Sequence, residues 1–210
     1  MPASRTTLAE QVDRYVELGV HELAGLSEDA FRAQAAETIV GAVPVEDASA
    51  VAGAGRLPWL LVVTGIDPTL LMPLVEVRGK PGYVDMDPST PNRFATIEGV
   101  DIPATSMYLL QDFDPGDELR NHPPSAAMTS IRAAGRQPLT ITEGVCAVVL
   151  HPELARNKHA FSLLASRSTD TPVAKSVPAL WISRGAPRLG WCWNENPHTW
   201  LGSASCLARG

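Results

Sequence analysis

Residues able to do chemistry crowd one stretch near the C-terminus, GWCWNENPHTWLGSASC from Gly190 to Cys206, which holds three of the five tryptophans and two of the three cysteines. Within it Cys192, His198 and Cys206 follow the order Cys-x5-His-x7-Cys. Two thiolates and an imidazole are three of the four ligands of a tetrahedral zinc site, with Cys146 or His159 as the candidate fourth. Structural zinc sites usually draw their ligands from tight pairs, however, and no Cys-x-x-Cys occurs here. Small buried thiols are the plainer account of all three cysteines.

A thiol nucleophile is the second chemistry these residues allow. His198 follows Cys192 by six positions, past a turn at Pro197, and a thiolate reactive at neutral pH needs such a cationic neighbour. Strand alternation sends Trp191 and Trp193 to one face and Gly190, Cys192 and Asn194 to the other. If the Trp face is the core, Cys192 looks outward beside the space Gly190 leaves; the opposite facing fits the sequence equally. No nucleophile elbow surrounds the cysteine. The third chemistry is recognition. Trp193, Asn194, Asn196, His198 and Trp200 combine flat apolar faces with forked hydrogen-bonding groups, which suits a sugar, a nucleobase or another flat polar ligand. Against this, tryptophans fill cores, and an Asn-x-Asn-Pro run turns a chain without any ligand.

Other polar groups have simpler uses. Asp85 and Asp87, and the group Asp112, Asp114, Asp117 and Glu118, are spaced as turn caps, and the second group lacks the glutamate an EF-hand requires at its twelfth position. Leu74 occupies the place where a phosphate loop ending in Gly79-Lys80 needs its first glycine. Arg136 and Arg184 are the arginines an anion clamp would draw on, although isolated arginines are ordinarily solvated. No cofactor motif is present, so no cofactor is expected.

A chain of 210 residues with 45% apolar and 19% charged side chains is ordinary globular material able to bury its own core. A net charge of −6 argues against nucleic acid or an anionic membrane as the main partner. The longest apolar run, Trp59 to Val63, is too short to cross a bilayer. The N-terminus lacks a secretory h-region, and three unpaired cysteines suit a reducing compartment, so a cytoplasmic location is expected.

Helical spacing of Leu8, Val12, Tyr15, Val16 and Leu23 predicts a helix over 7–24, ended by Gly25. Ser27 offers the N-cap of a second helix carrying Phe31, Ala35 and Ile39 on one stripe. Residues 41–57 turn to Ala, Gly, Val and Pro without period and read as a linker between an N-terminal segment (1–40) and the main domain (58–210). Strands are expected at Trp59–Val63, at two short runs around Gly79-Lys80-Pro81-Gly82, and at Ser106–Phe113; the Pro- and Asn-rich segment through Pro103 reads as irregular. Helices follow at Pro124–Ala134 and, from the capping box Thr140-x-x-Glu143, at Ile141–Leu150. The second is apolar all round and so is buried rather than a DNA-recognition helix. Val177–Ser183 and Leu189–Trp193 read as a hairpin with a five-residue loop, Arg184–Arg188. The order of elements implies an α+β fold: an N-terminal helical pair, a mixed or antiparallel sheet with two central helices, and a Trp-rich C-terminal hairpin.

The segments ELGVHELAGLSEDAF, YLLQDFDPG and AAGRQPLTITEG, with VPALWISRGAPRLGWCWNENPHTWLGSASC, resemble an uncharacterised bacterial family of unknown function whose C-terminal signature is the Trp-Cys-Trp…Asn-Pro-His-Thr-Trp-Leu-Gly run. The resemblance covers nearly the whole chain and implies no activity. The link into VPALWIS is longer here, so 168–176 is expected to form an irregular loop. The reading that follows is a non-catalytic small-molecule-binding or interaction module using the Trp193–Trp200 loop. The alternative is a small enzyme that uses Cys192 and His198.

Overall fold

The computed structural model describes residues 7–42, 55–155, 160–168 and 175–210. Most of the expected linker, the centre of the expected 168–176 loop, and His159 lie outside them. Helix α1 (Leu8–Glu17) opens on a capping box in which Thr7 Oγ1 accepts from the Glu10 N–H and Glu10 Oε2 accepts from the Thr7 N–H. The helix expected over 7–24 is broken: Gly19, in the left-handed region at φ 72°, ends the first piece and starts α2 (Val20–Leu23). Helix α3 (Glu28–Gly41) is capped by Ser27 as expected. The helical pair is tied to strand β1 (Leu57–Val63) by buried polar contacts. Gln11 Nε2 donates to the Trp59 carbonyl and its Oε1 accepts from the Leu61 N–H, while Tyr15 donates to the Leu61 carbonyl. Tyr15, Phe31 and Ala35 are fully buried in the same hydrophobic core as β1.

After the one-turn helix α4 (Pro68–Leu71) comes a tight hairpin of β2 (Glu76–Val77) and β3 (Lys80–Pro81), then β4 (Tyr83–Val84). Lys80 and Pro81 are thus strand residues. The turn is Arg78-Gly79, both at positive φ (53° and 74°), a two-residue type I′ connection. The segment read as irregular contains β5 (Phe94–Thr96), which finds its partner late in the chain. Strand β6 (Met107–Phe113) pairs antiparallel with β1. Helix α5 (Pro124–Ala133), the two-residue β7 (Gln137–Pro138) and helix α6 (Ile141–Leu150) follow. Apart from Thr142, every residue of α6 is buried; the helix packs against β1, α4 and β10.

The remaining strands are β8 (Ala160–Ser162), β9 (Ser166–Ser168), β10 (Ser176–Ser183), β11 (Ala186–Trp193), β12 (Leu201–Ser203), β13 (Ser205–Cys206) and β14 (Ala208–Arg209). The principal sheet is five-stranded and mixed, in the order β12-β8-β10-β11-β4; β1-β6-β14 form a second, antiparallel sheet. The expected five-residue loop between β10 and β11 is instead a two-residue turn, Arg184-Gly185, again with both φ positive (53° and 80°) and with Ser183 paired to Ala186. The strands run on through Pro187 and Arg188 because a type I′ turn continues the strand twist directly. The fold is α+β, with an N-terminal helical pair.

Candidate functional site

Pairing of β10 with β11 puts Val177 opposite Cys192, Ala179 opposite Gly190 and Trp181 opposite Arg188, so these six share one face of the sheet. Leu180, Leu189 and Trp191 occupy the other. Trp191 packs against the main core and donates through Nε1 to the carbonyls of Met86 and Asp87, both at 3.2 Å. Trp193, on the same face but at the hairpin end, is 41% exposed and meets Trp191 edge-on. Neither face is an open cleft. The Cys192 face carries its own small apolar clusters, with Ala127 and Ile131 of α5 and with Ala160, Ala179 and Leu201, under Trp181 and Trp200. The space beside Gly190 is filled: a Cβ there would meet the Trp181 ring at 2.4 Å.

Cys192 has its Sγ 4.0 Å from Ser162 Oγ, and burial pushes its thiol up to about 11 despite the hydroxyl and Arg167, which act in the opposite direction. Such a thiol is protonated at neutral pH. The His198 ring lies tilted against Trp200 with centroids 5.1 Å apart, and its carbonyl accepts from the Asn121 N–H. Cys206 lies on β13, where burial raises its thiol to about 12. Among the described residues no three His, Cys, Asp or Glu side chains gather as metal ligands. The polar groups of the loop after β11 hold helix α5 instead. Asn194 O accepts from Ser125 N–H, Glu195 Oε2 accepts from Ser125 Oγ, and Asn194 Oδ1 accepts from Arg167. Because Pro123 gives α5 no side-chain cap, a carbonyl and a carboxylate brought from another segment serve its first turn. Asn196 and Trp193 remain exposed beside this arrangement.

The acids are likewise engaged. Asp112, in the left-handed region at φ 51°, turns its carboxylate between Arg56 and Arg136. Burial alone would raise its carboxyl, but hydrogen bonds from Arg136 and Arg56 and their charge hold it below its ordinary value. Arg136 is therefore no anion clamp. Asp85 pairs with Arg188, which also lies over the Trp181 ring with 4.7 Å to its centroid.

Among the described residues a concave site lies elsewhere, at the N-terminus of α6. A cleft of about 450 Å³ is bounded by the chain leaving β1 (Thr64–Pro68), the β5 segment (Asn92, Phe94, Thr96), Ile102, Tyr108 of β6, the start of α6 and Ser166. Beneath its lining residues Tyr108 and Thr140 lies a buried network. Glu143, fully buried, accepts from Tyr108 Oη (2.9 Å), Thr140 N (2.7 Å), Thr140 Oγ1 (3.0 Å), and Arg209 Nε (2.5 Å) and Nη2 (3.0 Å). Burial and the Glu143 carboxylate both drive the Tyr108 phenol far above its ordinary value, so it stays protonated. Ser166 Oγ accepts from the Ile141 N–H, and Asp67 Oδ1 from Thr69 N and Oγ1. Among the described residues the side chains of Asn92, Thr96 and Thr142 have no protein hydrogen-bond partner, and they line this cleft with Phe94, Ile102 and Ile141. Among the described residues Asp67 is the lone charged one in the lining. No single segment carries this site. Its sequence traces are the capping box and the Pro- and Asn-rich segment, neither of which announces a cavity.

An α+β protein with a ligand-sized cleft over a locked acid–arginine–tyrosine floor is thus the class that fold and site define. The chain belongs to a family of unknown function, DUF5701, whose model matches residues 14–210. No curated protein and no solved structure matches it. No described helix is long and apolar enough to cross a membrane.

Proposed function

We propose that this protein is a binding module for a small polar molecule, held at the α6 N-terminal cleft. The observation that carries the reading is the set of unpartnered donors and acceptors on Asn92, Thr96 and Thr142 around an apolar wall, in a volume typical of ligand sites. The floor is preorganised: Tyr108 and Thr140, which line the cleft, are both held by hydrogen bonds to the buried Glu143 carboxylate, so ligand binding need not reorganise them. The ligand is neutral or cationic. Among the described residues no lysine, arginine or histidine lines the cleft, and Asp67 contributes negative charge. Association through the Trp193–Asn196 surface is the further part of the module reading; its support is the exposure of Trp193. The thiol-enzyme reading of Cys192 and His198 has the protonated, clustered state of Cys192 against it.

Mass spectrometry tests the cleft. The protein is sprayed under native and then denaturing conditions, beside the variant Asn92→Ala/Thr142→Val, and a small-fragment library is added if the wild-type mass is bare. An organic mass lost on denaturation and absent from the variant is the expected result. An increment of equal size in the variant, or no fragment retained by either protein, sinks the proposal.

A further inference from the structure

The two Arg-Gly hairpin tips lie against one another. Both turns place arginine, Arg78 and Arg184, at φ 53° in the first turn position, followed by glycine. That position of a type I′ turn favours Asn, Asp or Gly, because any other side chain there meets its own backbone. The same unfavourable choice is made twice, and the fold brings the two tips together. Lys80 Nζ donates to the Arg184 carbonyl at 3.1 Å, and a Cβ on Gly185 would stand 3.2 Å from the same nitrogen. Arg78, Lys80 and Arg184 are all exposed, and among the described residues none of them makes an ion pair. Asp85, on the neighbouring segment, is occupied by Arg188. A protein of net charge −6 therefore displays three exposed cations without an ion pair among the described residues, two of them on strained turns.

We propose that the paired tips dock an acidic peptide segment of a partner protein, a short run of Asp or Glu side chains. Strain retained in a turn that the commoner residues would relieve points to a use for the side chain that causes it. Three exposed cations give a lone small anion only solvated contacts, whereas a chain of carboxylates is long enough to meet more than one of them at once. Charge complementarity is local: the overall negative charge disfavours nucleic acid and anionic bilayers, which meet the whole molecule's field.

The test uses fluorescence anisotropy of a labelled eight-glutamate peptide at low salt, with wild type and Arg78→Asn/Lys80→Gln/Arg184→Asn. Asparagine at both tips relieves the turn strain, so the variant is expected to melt at or above the wild-type temperature. It is expected to bind the peptide at least about fivefold more weakly, the combined factor that three exposed charge contacts supply. Equal affinity of the two proteins, or no binding by wild type, overturns the proposal. Displacement of the peptide by millimolar inorganic phosphate at matched ionic strength overturns it too, since the site would then be one for small anions. So would wild type binding a DNA oligonucleotide or phosphatidylserine vesicles and not the peptide.

Discussion

Removing the guanidinium of Arg209 tests whether the buried floor of the cleft holds the protein together. Glu143 is 0% exposed and the Arg209 side chain 3%, and they meet through two hydrogen bonds of 2.5 and 3.0 Å. Burial acts to lower the Arg209 guanidinium, but the Glu143 hydrogen bond and charge outweigh it and raise it. Arg209→Met keeps the apolar stem and strands a carboxylate with no counter-charge, a situation that costs about 3–5 kcal/mol. Gln137 Oε1 and the Pro138 carbonyl lose donors in the same step, so the upper half of that range is expected. Glu143→Gln keeps an acceptor for the Thr140 N–H but leaves Arg209 buried and unpaired, for about 3 kcal/mol. With both charges gone the double variant should cost about 3 kcal/mol less than the sum of the singles. Urea denaturation at pH 7 reads all four proteins, provided the m-value is unchanged. Should Arg209→Met fail to fold, which a loss of about 4 from a total of 5–15 kcal/mol allows, Arg209→Lys keeps the counter-charge and reads the loss of the forked hydrogen bonds alone, at smaller cost. Single costs below about 1 kcal/mol, or costs that simply add, would refute the account of the floor as a coupled ion pair.

Three further outcomes are expected. Gly116 stands at φ 75° with its missing Cβ position 2.0 Å from the Ser203 carbonyl oxygen, so Gly116→Ala should destabilise by more than about 2 kcal/mol, and an unchanged thermal midpoint would show that the chain there moves freely. Cys192 should resist iodoacetamide at pH 7.5 in the folded protein and react only as pH approaches about 11 or on unfolding; alkylation at the rate of a free thiol would restore the nucleophile reading. Because the folded Asp112 carboxyl lies below its ordinary value, its contribution is fully present above about pH 4 and is lost as pH falls through the folded value. Asp112→Asn, which tolerates the same left-handed backbone, should flatten that acid limb of the melting temperature, and identical acid limbs for the two proteins would remove Asp112 from the account.

The parts of this fold legible in the sequence are those whose signal is local. Apolar period and caps located α3, α5 and α6, and the buried run located β1 and β6. The strands of two or three residues, β8, β9, β12, β13 and β14, carry no period of their own and exist because distant partners supply their hydrogen bonds, as when Ala208 meets Gln111. Alternation correctly separated Trp191 from Cys192, yet it could not reveal that both faces are covered, since the cover on the second comes from α5 and Trp200.

The cleft shows how far one local signal can reach. Thr7-x-x-Glu10 and Thr140-x-x-Glu143 are the same capping box, but Glu10 lies at the surface whereas Glu143 is completely buried. The difference is written in the residues that follow: α1 is amphipathic and α6 is apolar on every side. A helix buried all round with one acid in its first turn must bury that acid as well, and a buried carboxylate demands a cation. That reasoning predicts that an arginine or lysine meets Glu143 without saying which. Arg209 does so from 66 positions away in sequence, carried by β14 where it pairs with β6. The floor of the site, and with it the carboxylate that holds the Tyr108 hydroxyl, therefore depends on a two-residue strand with no period of its own.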